Sequence, residues 1–293
     1  MRVVVTGASG FLGARLASHL RAAAGDDVVA LVRTSPDGIA PAGTVAADAS
    51  DWGWTKALPR SADCVIHLAQ SRRYREFPEG APDMVRVNVD ATTELLDWAR
   101  GAGVKRFILA STGSVYAPSL DPLREESVIV PTTLYATTKY CAELIASSYA
   151  GLFHVIILRL FTLYGPGQRT GAFKTILDRI RSGAAVTLAG ENGMKMTPLY
   201  VDDAARIIAE LVHRAAPPPA ERTILNVAGS ELTNVRSIAA AMATVGGWSL
   251  RFDTSGACTS NMIADTSAIR RRNLIPRMPL SEGIAATVHG AMF

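Results

Sequence analysis

The first thirteen residues constrain the fold more than any other stretch of the chain. Residues 3–5 are three consecutive valines, a β-branched run typical of a strand buried on both faces. Gly7, Gly10 and Gly13 follow at intervals of three, and an amphipathic run over Phe11–Ala24 comes next. Glycines here permit a tight turn and the close approach of a diphosphate, and the helix N-terminus offers N–H groups to it. The opening therefore predicts a dinucleotide-binding unit, with an ordinary strand–helix turn as the alternative.

Composition excludes several classes of protein. The chain has 293 residues, of which 48% are hydrophobic and 19% charged, as in ordinary globular domains. It contains neither the roughly 18-residue apolar run of a membrane span nor a secretory signal, so we expect a cytoplasmic protein. A net charge of +4 is small for this length, so nucleic acid is not an expected partner. Cys64, Cys141 and Cys258 lack metal-ligand spacing, so we expect reduced thiols and no metal.

Strand and helix patterns alternate along the first half of the chain. Such alternation predicts parallel strands joined by right-handed crossovers. We therefore expect an α/β fold, a doubly wound parallel Rossmann sheet with a small interleaved C-terminal substrate lobe. The nucleotide domain is predicted at residues 1–164 with 199–229 returning to it, and the lobe at 165–198 and 230–293. Further strands are predicted at residues 28–32, 44–47, 63–69, 105–110, 154–160 and 223–227, and helices at 51–58, 82–101, 135–149, 171–182, 201–215 and 234–245.

Two strand ends carry candidates for the adenosine half of a dinucleotide. Arg33 ends the second strand, where an acidic residue favours NAD and an arginine accommodates the 2′-phosphate of NADP. Because no acidic residue is present there, we expect NADP(H), with NAD(H) as the alternative and a surface arginine as a third interpretation. Asp48 follows the third strand and is a candidate partner of the adenine amine, or else the N-cap of the next helix.

The fourth strand and its exit contain a histidine and an arginine cluster. His67 lies inside the strand, and we expect it to be buried and hydrogen-bonded rather than catalytic. Arg72, Arg73 and Arg75 follow the strand end. They are interpreted as a solvated face, with a substrate phosphate as the alternative, which makes Arg72 a candidate substrate ligand. The second cluster, residues 270–272, is interpreted as a solvated face.

The candidate catalytic residues follow the fifth strand. Thr112 lies in a hydroxyl-rich strand end, and Tyr135 and Lys139 are spaced to share one helix face. A tyrosine pKa of about 10 must fall by roughly 3 units for acid–base work near neutrality. An adjacent ammonium and an oxidised nicotinamide both favour the phenolate, and a strand-end hydroxyl can hold the substrate oxygen. The tyrosine–lysine spacing alone is also compatible with an ordinary helix surface.

Taken together, these motifs resemble the extended short-chain dehydrogenases/reductases, the NAD-dependent epimerase/dehydratase family. The resemblance implies that Tyr135 is the general acid/base, that Lys139 binds the nicotinamide ribose and tunes Tyr135, and that Thr112 holds the reacting hydroxyl or carbonyl. It rests on residues 6–13, 65–69, 88–92, 111–116, 135–139, 158–167, 200–203, 265–267 and 279–283.

The resemblance also implies further contacts. Family members often dimerise through two helices, here near residues 83–101 and 135–150. Thr162 is a predicted substrate ligand alongside Arg72 and Thr112. Residues expected to line the cofactor, in addition to the glycines, Arg33, Asp48, Tyr135 and Lys139, are Ser9, Phe11, Leu12, Ala49, Leu68, Ala69, Gln70, Asn88 and Phe161.

Departures from the family pattern narrow the reaction. Sugar 4,6-dehydratases of this family carry an Asp-Glu pair after the threonine, whereas this chain has Gly113 and Ser114, so dehydration is not expected. Nucleotide-sugar members often have an asparagine where Thr162 stands and an arginine near Lys195. Either Lys195 substitutes, or the substrate lacks the diphosphate. Asp202 and Asp203 open a helix, so capping explains them better than metal binding.

Three functions follow as hypotheses. The first is an NAD(P)-dependent oxidoreductase or epimerase acting on a carbinol or keto carbon of a sugar, most simply a nucleotide-activated one. The second is an NADPH-dependent carbonyl reductase acting on a non-sugar substrate. The third is a cofactor-binding sensor without turnover.

Overall fold

The structure is a computed structural model that describes residues 1–33, 44–214 and 222–291. Its strands are β1 (Arg2–Thr6), β2 (Asp27–Val32), β3 (Thr44–Ala46), β4 (Cys64–His67), β5 (Arg106–Thr112), β6 (His154–Leu160), β7 (Leu163–Tyr164), β8 (Val186–Leu188), β9 (Lys195–Met196), β10 (Leu199–Tyr200), β11 (Arg222–Val227), β12 (Thr233–Asn234) and β13 (Phe252–Thr254). Its helices are α1 (Phe11–Ala24), α2 (Ala81–Val85), α3 (Ala91–Gly101), α4 (Leu134–Ser148), α5 (Ala172–Arg181), α6 (Val201–His213), α7 (Val235–Gly246), α8 (Ser267–Arg271) and α9 (Leu280–His289).

The central sheet confirms the predicted fold class. Seven strands lie in the order β11-β6-β5-β4-β1-β2-β3. β1 pairs in parallel with β2 and β4, and the next pairs outward, β2–β3 and β4–β5, are parallel as well. The strand order reverses between β1 and β4, which is where doubly wound sheets bind ligands, at the carboxyl ends of the strands. Thr6 pairs with His67 at this edge, so the residues that follow β1 and β4 are neighbours.

Two predicted helices differ from the structure. The helix expected at residues 51–58 is a single 3₁₀ turn, Trp54–Ala57. Gly53 enters it with a left-handed φ of 71°, and Pro59 disfavours helical backbone at the residue before it. The helix expected at 82–101 is interrupted by one π turn, Arg86–Asp90. Val85, the last residue before this π turn, is 41% exposed.

The chain divides into two compact units. Unit 1 comprises Met1–Val115, Ile129–Arg159 and Ile208–Leu225, and unit 2 comprises Tyr116–Val128, Leu160–Ile207 and Asn226–Phe293. These boundaries differ from the predicted ones because residues 116–128 group with unit 2, as do residues 199–207 and 226–229 of the 199–229 stretch that we assigned to the nucleotide domain. The role of the second unit in substrate binding stays a prediction.

Each unit has its own apolar core. The core of unit 1 includes Val4, Val65 and Phe107 from three sheet strands, packed against Leu95 and Leu96 of α3. In unit 2 the stacked rings of Tyr164 and Phe173, 4.3 Å apart, lie in a core that α5, α7 and α9 surround. Burial of each large apolar side chain stabilises the fold by about 1.5–3 kcal/mol.

Two further features of the described residues concern membranes and thiols. None of the helices that the structure describes is long and apolar enough to cross a bilayer. The three cysteines are free. Burial raises the pKa of Cys64 to about 12, so this thiol is unreactive at neutral pH.

Candidate active site

The glycine turn after β1 has the backbone geometry that a diphosphate requires. Gly7 has a left-handed φ of 67°, and a Cβ there would lie 2.9 Å from the backbone nitrogen of Ala69. Gly10 is extended and precedes α1 directly, and within the described chain no side chain caps this helix and no acidic residue occupies its first turn. The N–H groups of that turn are therefore available to an anion. The turn fits the dinucleotide that the motif predicts.

The other predicted residues of this turn differ in exposure. Ser9 is exposed and Phe11 is half-buried, with the Arg15 guanidinium 5.1 Å from the Phe11 ring centroid. Leu12 is buried in the core. Contact between Leu12 and a cofactor would therefore be through its backbone.

A buried hydrogen-bond network fixes the exit of β4. His67 Nδ1 lies 2.7 Å from Thr6 Oγ1, and His67 Nε2 lies 2.9 Å from Thr92 Oγ1. The Ala69 N–H donates to Thr6 Oγ1 at 3.1 Å. Burial, and secondarily the charge of Lys139, lowers the pKa of His67 to about 3. This confirms the prediction of a buried, hydrogen-bonded histidine, and the network holds the backbone of Leu68 and Ala69.

Asn88 joins the segment after β4 to helix α4. It lies in the π turn and is buried. Its Oδ1 accepts from the Ser71 N–H at 2.9 Å, and its Nδ2 donates to Thr138 Oγ1 at 3.0 Å. The Thr138 hydroxyl in turn donates to the carbonyl of Tyr135 at 3.0 Å. Asn88, which we predicted near the cofactor, thus positions the Gln70–Ser71 backbone relative to Tyr135.

The predicted catalytic residues lie together at the carboxyl edge of the sheet. Thr112 is the last residue of β5, and its Oγ1 accepts from the Ser114 N–H at 3.1 Å. Tyr135 begins α4 because Thr133 caps that helix through the Ala136 N–H. The Tyr135 phenol donates to Gln70 Oε1 at 3.3 Å.

The proton affinities at this site differ from our expectation. Burial raises the pKa of Tyr135 to about 12, although the hydrogen bond with Thr112 opposes the rise. Burial lowers the pKa of Lys139 to about 8, and the Glu143 carboxylate opposes this. Without a cofactor, Tyr135 thus lacks the lowered pKa that acid–base work near neutrality requires, because desolvation favours the phenol. The lowering of this pKa by Lys139 together with a bound oxidised nicotinamide stays a prediction. At neutral pH the pair is a phenol and an ammonium.

A buried ion pair lies one helical turn beyond Lys139. Arg159 of β6 donates to both carboxylate oxygens of Glu143, with an Nη2–Oε2 distance of 2.7 Å, and the Ser111 hydroxyl donates to the same group. Both charged side chains are 3% exposed. We did not predict this pair. The arginine inside an apolar strand was the signal that could have revealed it, because a buried charge needs a partner.

The arginine cluster after β4 contains an aromatic residue that the sequence analysis missed. The Tyr74 ring packs against Tyr135, with centroids 5.3 Å apart and planes tilted by 49°. The Arg75 guanidinium lies 5.4 Å from the Tyr74 centroid, and Arg73 pairs with Glu76 at 2.7 Å. Arg72 is exposed. Nothing in the sequence distinguishes Tyr74 from the charged residues around it.

The residues predicted to contact the adenosine half of the cofactor follow strands β2 and β3. Arg33 is exposed at the end of β2 and precedes residues 34–43, which lie outside the described residues. Asp48 Oδ1 accepts from the backbone N–H and the hydroxyl of Ser50 at 2.9 and 2.8 Å. Its interpretation as a helix N-cap is wrong, because it closes a local turn instead. Ala49 packs against the core of unit 1.

The remaining predicted residues belong to unit 2. Phe161 is buried, and its N–H donates to the Val227 carbonyl at 3.0 Å. Thr162 is half-buried, and its carbonyl accepts from the Leu199 N–H at 2.9 Å. Lys195 is exposed on β9.

Acidic residues in unit 2 serve packing. Asp203 Oδ2 accepts from the backbone N–H groups of Arg277 and Met278 at 2.9 and 2.8 Å, and its Oδ1 pairs with Arg206 at 3.1 Å. Asp203 therefore ties a loop to the start of α6. In residues 1–33, 44–214 and 222–291, no group of three or more His, Cys, Asp or Glu side chains is placed to hold a metal ion.

Comparison with known proteins decides the family. The sequence model of the "NAD dependent epimerase/dehydratase family" matches residues 3–228. The chain belongs to the NAD-dependent epimerase/dehydratase family. This confirms the resemblance inferred from the motifs, and the Gly7–Gly13 turn is the first segment of the family match.

Individual members of the epimerase/dehydratase family show the range of activities it contains. A probable UDP-glucuronate 4-epimerase of Rhizobium meliloti (strain 1021) is 35% identical over 178 residues, which are 57% of this chain and 52% of that protein. The chain thus spans about half the length of that relative. A 3-diazoavenalumate denitrifying reductase of Streptomyces sp is 35% identical over 218 residues, 70% of this chain and 69% of that protein.

A solved structure extends the similarity to the whole chain. MoeE5 in complex with UDP-glucuronic acid and NAD superimposes with a TM-score of 0.85 at 26% identity, covering 100% of this chain and 99% of that chain. The fold described above therefore matches that of MoeE5, a protein solved with UDP-glucuronic acid and NAD, over all residues of this chain.

Proposed function

We propose that the protein is an NAD-dependent epimerase that acts on a carbinol carbon of a nucleotide sugar through Thr112, Tyr135 and Lys139. The position of the Tyr135 phenol carries the proposal: it lies 3.3 Å from Gln70 Oε1, in the segment that follows β4. Parallel sheets bind their ligands at this edge, and the Gly7 turn opens onto it. Thr112 at the end of β5 and Tyr135 at the start of α4 can there both reach one substrate oxygen.

The protein side chains divide the proton chemistry among them. Thr112 holds the substrate oxygen, and Tyr135 as phenolate takes the proton when the carbinol O–H bond breaks. When the carbonyl oxygen is reduced again, the phenol returns this proton. Lys139, protonated at neutral pH, binds the nicotinamide ribose and stabilises the phenolate. A nicotinamide held at this edge would supply the acceptor and donor of the hydride. Return of the hydride to the opposite face of the sugar would give the epimer without net oxidation.

The proposed cofactor is NAD(H). MoeE5 was solved with NAD, and the expectation of NADP(H) from Arg33 has no support in the compared structures. The N–H groups after Gly10, including that of Leu12, would hold the diphosphate. Asp48 and Ala49 would lie at the adenine, and Leu68, Ala69 and Phe161 along the nicotinamide half.

The proposed substrate is a UDP-sugar, with UDP-glucuronic acid and UDP-glucose as the first candidates. The similarity to a probable UDP-glucuronate 4-epimerase and to MoeE5 supports this choice. Arg72, Thr162 and Lys195 are the proposed ligands of its charged or polar groups. We further propose that it is not dehydrated, because Gly113 and Ser114 offer no carboxylate to remove a proton from carbon.

A second candidate function is reduction of a non-sugar substrate. The Streptomyces relative is named a reductase of 3-diazoavenalumate, not of a sugar, and it matches a longer stretch of this chain than the Rhizobium relative does. Tyr135 would then donate the proton to a carbonyl oxygen held by Thr112, and a reduced nicotinamide would supply the hydride to the carbonyl carbon and be left oxidised. Thr162 fits this candidate, because nucleotide-sugar members often have an asparagine there.

Incubation with defined substrates tests both candidates. The purified protein is given UDP-glucuronic acid or UDP-glucose with NAD, and the nucleotide sugars are separated by chromatography. We expect the 4-epimer to accumulate with no net NADH. Steady oxidation of NADH or NADPH by a sugar-free carbonyl compound, with both UDP-sugars unchanged, would favour the reductase instead.

We also propose a homodimer built on α3 and α4. The side chains of Val85 and Leu144, beside and on these helices, are 41% and 49% exposed. Sedimentation velocity of wild type and Leu144→Glu tests this, and a dimer that the charge dissociates is the expected result. A wild-type monomer at micromolar concentration contradicts it.

A further inference from the structure

The segment after β4 supplies a partner for Tyr135 that no catalytic motif contains. The Tyr135 hydroxyl donates to Gln70 Oε1 at 3.3 Å. An amide carbonyl can only accept a hydrogen bond, so the phenol proton lies between these two oxygens. This is the proton that a catalytic tyrosine must exchange with its substrate.

Thr112 and Tyr135 each have a hydroxyl proton to donate. Thr112 Oγ1 accepts from the Ser114 N–H at 3.1 Å, which leaves the Thr112 hydroxyl proton to be donated to a substrate oxygen. The Tyr135 phenol proton is directed at the Gln70 carbonyl, where a substrate oxygen would otherwise accept.

The geometry of this contact is held by buried groups. Asn88 accepts from the backbone N–H of Ser71, the residue after Gln70, and donates to Thr138 of α4. The Ser71 hydroxyl also donates to Asp83. The Tyr74 ring packs against the Tyr135 ring from the same segment. The backbone of Gln70 is thus fixed relative to Tyr135, while its side chain is exposed and can rotate.

We propose that Gln70 is a further catalytic residue, which serves the phenol and the phenolate of Tyr135 with the two ends of its amide. Its carbonyl accepts from the phenol before the substrate enters. Before Tyr135 acts as a base, its proton passes to solvent, and rotation of the Gln70 amide presents an N–H to the phenolate. When Tyr135 then takes the proton of a substrate hydroxyl, that O–H bond breaks and the phenol O–H bond forms. When it returns the proton to a carbonyl oxygen, the phenol O–H bond breaks and the substrate O–H bond forms again. The inference rests on the proposed function, in which Tyr135 is the acid/base.

Tyrosinate absorbance measures this role without turnover. The full-length protein is titrated with and without NAD over the alkaline range in which circular dichroism shows it to be folded. Subtracting the curve of Tyr135→Phe isolates Tyr135 from the other six of the seven tyrosines. The variants are Gln70→Met, which removes both amide ends, and Gln70→Glu, which places a carboxylate against the phenol.

The expected result is an ordering of the Tyr135 pKa. Gln70→Met loses both the carbonyl that favours the phenol and the N–H that favours the phenolate. Because the carbonyl is already in contact with the phenol, whereas the N–H reaches it only after rotation, loss of the acceptor dominates and the pKa falls by about half to one pH unit. Gln70→Glu adds a negative charge beside the phenol, so the pKa rises by about one pH unit or more. As a matched control, Thr137→Glu adds the same charge on an exposed position of α4, and we expect a shift below about a third of a pH unit.

Two results overturn the inference. An unchanged Tyr135 pKa in both Gln70 variants would mean that Gln70 only lines the site. Equal shifts in Gln70→Glu and Thr137→Glu would mean that the effect is general charge. The alkaline limb of kcat against pH gives a second readout that should follow the same order. If the ordering holds while no UDP-sugar is converted, the proposed substrate fails and the role of Gln70 stands.

Discussion

The two units bury different kinds of side chain. Beneath the carboxyl edge of its sheet, unit 1 buries His67, Asn88, Lys139, Glu143 and Arg159, none of them more than 3% exposed. The core of unit 2 is aromatic and aliphatic, and its one buried carboxylate, among the residues that the structure describes, binds a loop backbone. Buried polar and charged groups stabilise a fold less than apolar side chains do, because pairing must offset their desolvation. The buried side chains of unit 1 therefore contribute less to the free energy of unfolding than those of unit 2. We therefore expect substitutions in unit 1 to change the chemistry and those in unit 2 to change stability or recognition.

The largest effect is expected at Tyr135. Tyr135→Phe removes the acid/base, so kcat should fall by about 10²- to 10⁴-fold, while the free energy of unfolding changes by less than about 1 kcal/mol because the ring is retained. Steady-state kinetics and urea unfolding measure the two. Tyr140→Phe, on the same helix, is the control and should leave kcat unchanged. Equal losses of kcat in the two variants would contradict the assignment.

The next effect is expected at the buried ion pair. Glu143→Gln leaves the Arg159 guanidinium buried without its counter-charge, so the free energy of unfolding should fall by about 3–5 kcal/mol. Phe173→Ala in unit 2 should destabilise by a similar 3–5 kcal/mol through a cavity. The two should differ in kcat, which falls only for Glu143→Gln because Lys139 loses its neighbouring carboxylate. Unchanged kcat in Glu143→Gln would remove the distinction between the units.

Burial of Lys139 should make stability depend on pH. Its pKa falls from 10.5 in the unfolded chain to about 8 in the fold, so between these values the unfolded state binds more protons and stability rises with pH. The penalty, fully present below about pH 8, amounts to about 3 kcal/mol. Lys139→Met should therefore be more stable than wild type at pH 7, and the difference should vanish near pH 10.5. Urea unfolding at several pH values checks this, and a constant difference would contradict it.

The smallest effect is expected at Arg33. If Arg33 meets the 2′-phosphate of NADP, Arg33→Ala should weaken NADP(H) binding by about tenfold, and NAD(H) binding by less than about threefold. Fluorescence titration with both reduced cofactors measures this. Equal weakening of both would assign Arg33 to a general surface role.

The comparison of the units also shows how much of the fold and of the site can be predicted from the sequence. The glycine turn, the alternation of strands and helices and the tyrosine–lysine helix were predictable, because β-branched runs, helix periodicity and backbone-restricted glycines act locally. Tyr74 and the role of Gln70 were not, since they depend on which segment lies against α4 in three dimensions. The raised pKa of Tyr135 in the cofactor-free protein was not predictable either, because desolvation depends on packing. The unit boundaries also differed from prediction, since no local pattern marks residues 116–128 as part of unit 2.

The most direct test follows the hydrogen at the inverted carbon. Wild type and Tyr135→Phe are incubated with UDP-glucuronic acid and NAD in D₂O, and the product is examined by proton NMR. A hydride that leaves and returns does not exchange with solvent, so we predict the 4-epimer from wild type with protium at that carbon and almost none from Tyr135→Phe. Deuterium at the inverted carbon, or equal conversion by the two proteins, would contradict the account.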